Sequence, residues 1–213
     1  MSRTAKIILA AWALAILAGG FWIAYDSLAP SAPDKLSAGD QRGLFSGPQI
    51  GGPFALIDQD GKPRSDADFR GKPMLVYFGY TFCPDVCPTE LMQMANAAEL
   101  LGADAAKIQL VFITVDPERD TPAVLKDYVA QFSPHMVGLT GSAEAIAQAA
   151  KAYRVYYAKA KPDSDGLYMM DHSSLFYLMD GAGRFVTHFS PRTRTEEMAG
   201  AMRKLLANTA KQN

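Results

Sequence analysis

Two near-continuous apolar stretches, residues 74–78 and 108–115, dominate the pattern of hydrophobic and polar positions along the chain. The second stretch in particular is typical of a strand buried on both faces of a parallel sheet. Residues 89–101, which lie between the two stretches, follow a helical pattern. The three segments therefore predict a β–α–β unit, and with it a domain of the α/β class.

The segments on either side of this unit extend the prediction to a complete domain. Residues 54–58 and 62–66 flank an Asp-Gly pair at positions 60 and 61, which favours a tight hairpin turn. Strands and helices alternate after the unit and are followed by a second hairpin and a final helix. The pattern predicts a thioredoxin-like α/β domain over residues 50–210 with an added N-terminal β-hairpin. The remaining predicted helices are 121–132, 142–153 and 195–206, and the remaining predicted strands are 136–139, 175–179 and 184–189.

The N-terminal segment has a different character from the rest of the chain. Residues 7–25 carry no charged side chain, and about 20 apolar residues are enough to cross a bilayer as a helix. Arg3 and Lys6 precede this run and Asp26 follows it, which predicts a cytoplasmic tail at residues 1–6 and a domain on the other side. The alternative is a cleaved signal peptide, whose apolar region is usually shorter.

Composition and charge narrow the class of protein further. Residues 26–49 are rich in Ala, Pro, Ser, Gly and charged side chains, which predicts a flexible tether. The formal net charge is −1 and basic tracts are absent, so we expect no nucleic-acid partner. The hydrophobic content of 49% is ordinary for a globular domain with a core. The anchor and its flanking charges predict a single-pass protein of a bacterial inner membrane, with its folded C-terminal domain in the periplasm.

Cys83 and Cys87 are the only two cysteines among the 213 residues. They lie in a loop between a predicted strand and a predicted helix, and Pro88 suits the first helical position, so Cys87 is predicted to cap the helix. The helix dipole and the exposed N–H groups of the first turn are expected to lower the pKa values of these thiols. The loop is therefore the expected place of the chemistry.

Three roles for the cysteine pair remain open at this point. A structural disulfide suits an oxidising compartment, but closing so short a loop gains little chain entropy. A redox dithiol of the thioredoxin type normally has two intervening residues, whereas this pair has three. A metal site is the third role, because two thiolates select cuprous copper or zinc, and a structural zinc site would require four protein ligands.

The histidines and acidic residues supply the other candidates. His172 precedes the predicted strand 175–179, in the connection that packs against the cysteine loop of a thioredoxin-like domain, so it is the expected third metal ligand. His135 and His188 are interpreted as ordinary surface or strand residues. Asp116 ends the second central strand and is a candidate docking residue. Asp171 is interpreted as a carboxylate that orients the ligating histidine.

Two further groups of side chains near these candidates are interpreted as structural. Asp120, Thr121 and Pro122 have the composition of a helix start. Met169 and Met170 suit thioether ligation of copper, but we interpret them as packing residues.

Three motifs in this order carry a resemblance to a known family. GYTFCPDVCPT at 79–89, VDPERDTP at 115–122 and DHSS at 171–174 resemble the Sco/SenC family of membrane-anchored copper proteins, and the likeness extends over residues 50–206. The resemblance implies a thioredoxin-like fold and copper, as Cu(I) or Cu(II), bound by the two cysteines and one histidine. By position in the motifs, those ligands are Cys83, Cys87 and His172.

The resemblance also implies a function and its partners. The function is that of a metallochaperone that helps to assemble the CuA centre of cytochrome c oxidase, with subunit II of the oxidase or another copper chaperone as its partner. The protein would act as a monomer or a weak dimer. The alternative is a membrane-anchored thiol–disulfide reductase that keeps the CuA cysteines of the oxidase reduced, in which case Cys83 and Cys87 form the redox pair.

Overall fold

The computed structural model describes residues 49–84 and 86–210. The predicted cytoplasmic tail, membrane anchor and tether lie outside these residues and stay predictions. Within the described part of the chain, no helix is both long enough and apolar enough to cross a membrane.

A mixed seven-stranded sheet forms the centre of the described domain, with the strand order β2-β1-β5-β4-β3-β8-β9. The strands β3, β4 and β5 run parallel, and the others join the sheet in antiparallel pairs. All six residues of β3 are buried, so both faces of this strand are covered, as its continuous apolar pattern requires. The strands are β1 (Ala55–Asp58), β2 (Pro63–Ser65), β3 (Met74–Gly79), β4 (Gln109–Thr114), β5 (Met136–Thr140), β8 (Phe176–Met179) and β9 (Phe185–Phe189).

Within the described residues, four α-helices pack against the sheet and against one another. Helix α1 contacts both α4 and β3, α2 contacts β5, and α3 contacts β1. The predicted hairpins are both confirmed, since β1 pairs with β2 and β8 pairs with β9. The helices are α1 (Val86–Glu99), α2 (Pro122–Ala130), α3 (Ala143–Tyr153) and α4 (Thr195–Ala210), and short 3-10 helices occupy Asp66–Phe69 and Gly102–Lys107.

The helix starts follow local sequence signals, with one correction. The Thr121 side chain accepts a hydrogen bond from the backbone N–H of Val124, so the predicted start of α2 is confirmed. Helix α1 begins at Val86, so the prediction that Cys87 caps it is wrong. Pro88 is still compatible with this start, because the N–H groups of the first helical turn have no partner within the helix.

A separate two-stranded ribbon was not predicted from the sequence. Strands β6 (Tyr157–Lys159) and β7 (Met170–His172) pair antiparallel, with Tyr157 opposite His172. Each strand has only three residues, too few for an alternating pattern to be recognised. The ribbon places His172 at the end of β7, immediately before the chain enters the central sheet as β8.

Candidate metal centre

The cysteine loop leaves the sheet at a glycine that allows close packing. Gly79 ends β3, and a Cβ atom built on it would lie 3.0 Å from Sγ of Cys87 and 2.8 Å from Cε1 of Tyr77. Only glycine, which has no side chain, allows strand β3 and helix α1 to pack this closely. The loop then turns back at Tyr80, whose carbonyl accepts a hydrogen bond of 3.4 Å from the N–H of Cys83.

The two cysteines occupy different environments at the start of α1. Cys87 is fully buried, whereas Cys83 is half-buried, and both are present as thiols. The backbone N–H of Cys87, in the first helical turn, donates to Sγ of Cys83 at 3.4 Å. The hydroxyl of Tyr77 lies 3.8 Å from Sγ of Cys87 and donates to it. A helix-terminal amide and a phenol thus hold the two sulfur atoms in place.

His172 reaches the buried cysteine from the ribbon. Its Nε2 atom lies 3.5 Å from Sγ of Cys87, and its Nδ1 atom lies 3.3 Å from the carbonyl oxygen of Ser173. Because a carbonyl can only accept, we assign the ring proton to Nδ1, which leaves the lone pair of Nε2 facing the thiol. The rings of Tyr77 and Tyr80 meet the imidazole edge-on and fix its plane.

Burial keeps Cys87 and His172 uncharged. It raises the pKa of Cys87 to about 12, and it lowers the pKa of His172. The expectation that the helix N-terminus lowers the pKa of both thiols is therefore wrong for Cys87, because the loss of hydration outweighs the helix dipole. At neutral pH a protonated thiol faces a neutral imidazole.

The donors match a soft metal ion in kind, but the described residues do not form an assembled site. Among them, no group of three His, Cys, Asp or Glu side chains is arranged to hold a metal ion as it stands. Cys87 and His172 already touch, and the half-buried Cys83 lines the cleft beside His172. Two thiolates with an imidazole suit cuprous copper.

An open cleft of about 320 Å³ leads to these donors. Met170 is buried in the core, as interpreted from the sequence, whereas Met169 is 39% exposed and its sulfur lies 4.0 Å from the hydroxyl of Tyr80. The cleft gives a partner molecule access to the half-buried cysteine and to the histidine. The lining side chains are Tyr80, Cys83, Pro84, Val86, Met169, Met170, Asp171, His172 and Ser174.

The two candidate acidic residues lie near the site in different ways. Asp116 is buried, and its carboxylate pairs with Arg119 and accepts a hydrogen bond of 3.0 Å from the hydroxyl of Tyr168. Asp171 is exposed on β7 and lines the cleft beside His172. Its negative charge opposes the lowering of the His172 pKa, but burial is the larger effect.

Sequence reasoning missed the role of Asp120. The sequence pattern indicates only a helix start there, yet the buried carboxylate of Asp120 accepts hydrogen bonds from the N–H and the hydroxyl of Thr81, at 3.0 and 2.6 Å. A third bond comes from the hydroxyl of Thr114 at the end of β4. Asp120 therefore fastens the cysteine loop to the neighbouring strand. The available signal was a carboxylate just beyond the carboxyl end of a central strand.

The fold and the site together define a class of protein. It is an α/β domain in which two thiols, placed where a loop leads from a strand into a helix, face an imidazole from a neighbouring ribbon. Residues 44–207 match the family model described as SCO1/SenC. The chain therefore belongs to the SCO1/SenC family.

The curated relatives are bacterial and mitochondrial. A SCO2-like protein of Rickettsia prowazekii is 45% identical over 78% of this chain and 81% of its own length. The mitochondrial SCO2 homolog of Bos taurus is 44% identical over 73% of this chain, which spans only 59% of that longer protein.

Solved structures show the same fold. The copper-bound structure of Bradyrhizobium japonicum ScoI is 49% identical, with a TM-score of 0.69, and the match covers 73% of this chain and 99% of that one. A second structure is that of BsSco, described as having a disulfide switch and as a member of the Sco family of cytochrome c oxidase assembly proteins. It is 27% identical with a TM-score of 0.59, and the match covers 74% of this chain and 93% of that one. The predicted thioredoxin-like α/β domain with an added hairpin agrees with these structures.

Proposed function

We propose that this protein is a copper metallochaperone that binds copper through Cys83, Cys87 and His172 and helps to assemble the CuA centre of cytochrome c oxidase. The contact of 3.5 Å between Nε2 of His172 and Sγ of Cys87, beside the second thiol, carries the proposal. Further support comes from the copper bound in the Bradyrhizobium japonicum relative and from the oxidase-assembly role of the family that includes BsSco.

The chemistry of the donors fits a copper cargo. The ion would replace the proton of Cys87, which burial otherwise holds in place, and it would take the lone pair of a neutral imidazole. Cys83, whose Sγ accepts a hydrogen bond from the N–H of Cys87, would supply the third donor. Three protein donors leave room for a ligand from a partner, and the cleft beside Cys83 gives that ligand access.

The cellular setting is part of the same proposal. The uncharged run at residues 7–25, preceded by Arg3 and Lys6, favours one membrane helix with the folded domain in the periplasm of a bacterium. The CuA-bearing subunit II of the oxidase, or another copper chaperone, would meet the domain there. A periplasm-dependent reporter fused after Asn213 should be active, and recovery of a soluble chain lacking its first two dozen residues would contradict the anchor.

A thiol–disulfide reductase is the second candidate. In this role the two thiols would give two electrons and two protons to a disulfide of the oxidase and would themselves become the Cys83–Cys87 disulfide. The short link from the N–H of Cys87 to Sγ of Cys83 favours it, because the sulfur atoms are already neighbours, and so does the disulfide switch described for BsSco. The dithiol chemistry requires no histidine.

Substitution of the histidine separates the two functions. We expect the reduced full-length protein to bind one copper ion, and His172→Ala to weaken that binding strongly while the thiols stay able to form a disulfide. His188→Ala is the matched control, because it also removes a histidine but not a proposed ligand: His188 stacks on Phe185 within β9. Cys83→Ser and Cys87→Ser should each abolish binding, since a hydroxyl is a poor ligand for a soft ion.

The same variants test the biological role in cells. At low copper, a strain with only His172→Ala should lose CuA assembly about as severely as a Cys83→Ser strain. Normal assembly in the His172→Ala strain would reject the chaperone and leave the reductase. Stoichiometric copper binding by the double cysteine variant would reject the ligand set.

A further inference from the structure

Arg119 lies between the two parts of the structure that carry the metal donors. It follows β4 and pairs through Nε with the buried carboxylate of Asp116. Its Nη1 donates a hydrogen bond of 2.9 Å to the backbone carbonyl of Tyr168, which lies 49 residues away in the sequence. One guanidinium thus joins the end of a central strand to the segment that leads into β7.

The same guanidinium lies over aromatic rings from both parts. Its central carbon is 3.8 Å from the ring centroid of Tyr168, 4.6 Å from that of Phe82 and 5.8 Å from that of Tyr80. Its Nη2 atom is buried without a hydrogen-bond partner, so these rings are its surroundings. A partly buried guanidinium over aromatic faces is held by cation–π attraction, which a flexible ammonium reproduces poorly.

These contacts are close to the donors along the chain. Phe82 immediately precedes Cys83, and Tyr168 lies four residues before His172. Tyr80 packs edge-on against the imidazole of His172, with ring centroids 5.9 Å apart. The guanidinium therefore contacts residues beside Cys83 in the loop and beside His172 on the ribbon. These are the two proposed ligands that lie outside α1.

The ribbon requires such an attachment. It consists of two strands of three residues each, and an isolated ribbon of this size is at best marginally stable. Three contacts hold Tyr168. Arg119 and Nζ of Lys159 each lie 3.8 Å from the centroid of its ring, and its hydroxyl donates to the carboxylate of Asp116. Fixing Tyr168 fixes the start of the strand that ends at His172.

We propose that Arg119 is a positioning residue of the copper site, which holds the loop of Cys83 and the ribbon of His172 at the separation that copper requires. This inference rests on the proposed ligand set. Arg119 acts through its neighbours and does not itself contact a donor. Supporting residues of this kind change metal affinity by about 10–100-fold in other metal sites.

A double-mutant cycle tests the inference in the full-length protein. We expect Arg119→Gln to weaken Cu(I) binding about tenfold, measured by competition with a chromophoric Cu(I) chelator. In the His172→Ala background the same substitution should have a clearly smaller effect, because the imidazole is gone and only the loop of Cys83 is left to position. Arg119→Lys should restore only part of the affinity, since an ammonium cannot reach Asp116 and Tyr168 together as the planar fork does.

The control and a second variant separate positioning from folding. Arg64→Gln breaks a similar pair, in which Nε of Arg64 lies 2.8 Å from the buried carboxylate of Asp58 on the N-terminal hairpin, and it should leave copper affinity unchanged. Tyr168→Leu keeps Asp116 and Arg119 together but removes the ring, and it should reproduce the loss of affinity seen in Arg119→Gln.

The outcomes distinguish this inference from the function on which it rests. An Arg119→Gln protein whose copper affinity stays within about twofold of the parent overturns the positioning role, and so does an equal loss in the His172→Ala background. If His172→Ala itself leaves the affinity unchanged, the ligand set fails instead. The Cu(II) electron paramagnetic resonance spectrum should change in Arg119→Gln and stay parental in Arg64→Gln.

Discussion

Gly79 is the position where the packing of the domain and the geometry of the site are most directly linked. A methyl group added there would lie 2.8 Å from Cε1 of Tyr77, 3.0 Å from Sγ of Cys87 and 3.0 Å from Cε2 of Phe112. All three side chains are fully buried, so none of them can turn into solvent to relieve the contact. The Gly79→Ala variant must therefore displace the core or Cys87, a proposed metal ligand.

The size of the effect follows from two opposing contributions. Overpacking a buried site costs about 1–3 kcal/mol, whereas replacing glycine by alanine restricts the unfolded chain and recovers about 0.4–1 kcal/mol. We expect Gly79→Ala to lower the free energy of unfolding by about 1–2 kcal/mol. With an m-value of about 2 kcal/mol/M, the urea midpoint falls by about 0.5–1 M. Copper affinity should fall as well, because Cys87 moves relative to His172.

Gly200 provides the matched control for this experiment. It lies within α4, and a Cβ atom built on it meets no atom within 4 Å. Gly200→Ala should stabilise the protein by about 0.5–1 kcal/mol, because alanine is the better helix former. Unfolding by urea, followed by circular dichroism, measures both variants. A Gly79→Ala protein as stable as its parent, with parental copper affinity, would refute the close-packing argument.

Two further predictions concern pH. Burial raises the pKa of Glu90 above its ordinary value of 4.5, so the stability that its protonated form contributes is complete below that value and is lost as the pH rises through the folded-state pKa. Glu90→Gln should therefore gain stability relative to the parent as the pH is raised from about 4.5 toward neutrality. Parallel stability curves for the two proteins in urea titrations would contradict this. The second prediction follows from the pKa of about 12 for Cys87, because this thiol must release a proton when copper binds. The apparent Cu(I) affinity should rise at least about tenfold per pH unit between about pH 6 and pH 8, and a pH-independent affinity in chelator competition would count against a Cys87 ligand.

The elements predicted correctly are those whose signals are local. The buried apolar run of β3 and the Thr121 cap of α2 depend on contacts within a few residues, so the sequence pattern carries them. The candidate site rests on a local signal too, because Cys83 and Cys87 are the only cysteines and lie between a predicted strand and a predicted helix; its role as a metal site stays a prediction.

The parts that were missed depend on contacts between distant segments. Asp120 bonds to Thr81 across 39 residues, and Arg119 bonds to Tyr168 across 49. Locally, both residues belong to a turn that precedes a helix, and this interpretation accounts for them without any reference to the site. The pKa of Cys87 was predicted in the wrong direction for a related reason: the helix dipole is visible in the sequence, whereas the depth of burial is visible only in the fold.

The charge balance of the buried site bears on how firmly a copper ion would be held. Without metal, Cys87 is protonated and His172 is neutral, so these two buried donors carry no charge. Two thiolates, one Cu(I) ion and a neutral imidazole would carry a net charge of −1, and a buried charge without a partner is costly. The nearby guanidinium of Arg119 offers little compensation, because it is already paired with Asp116. Burial thus strengthens each sulfur–copper contact but penalises the loaded site as a whole. A site with these opposing effects suits a carrier, since a partner that supplies its own thiolates in a better solvated setting can take the ion.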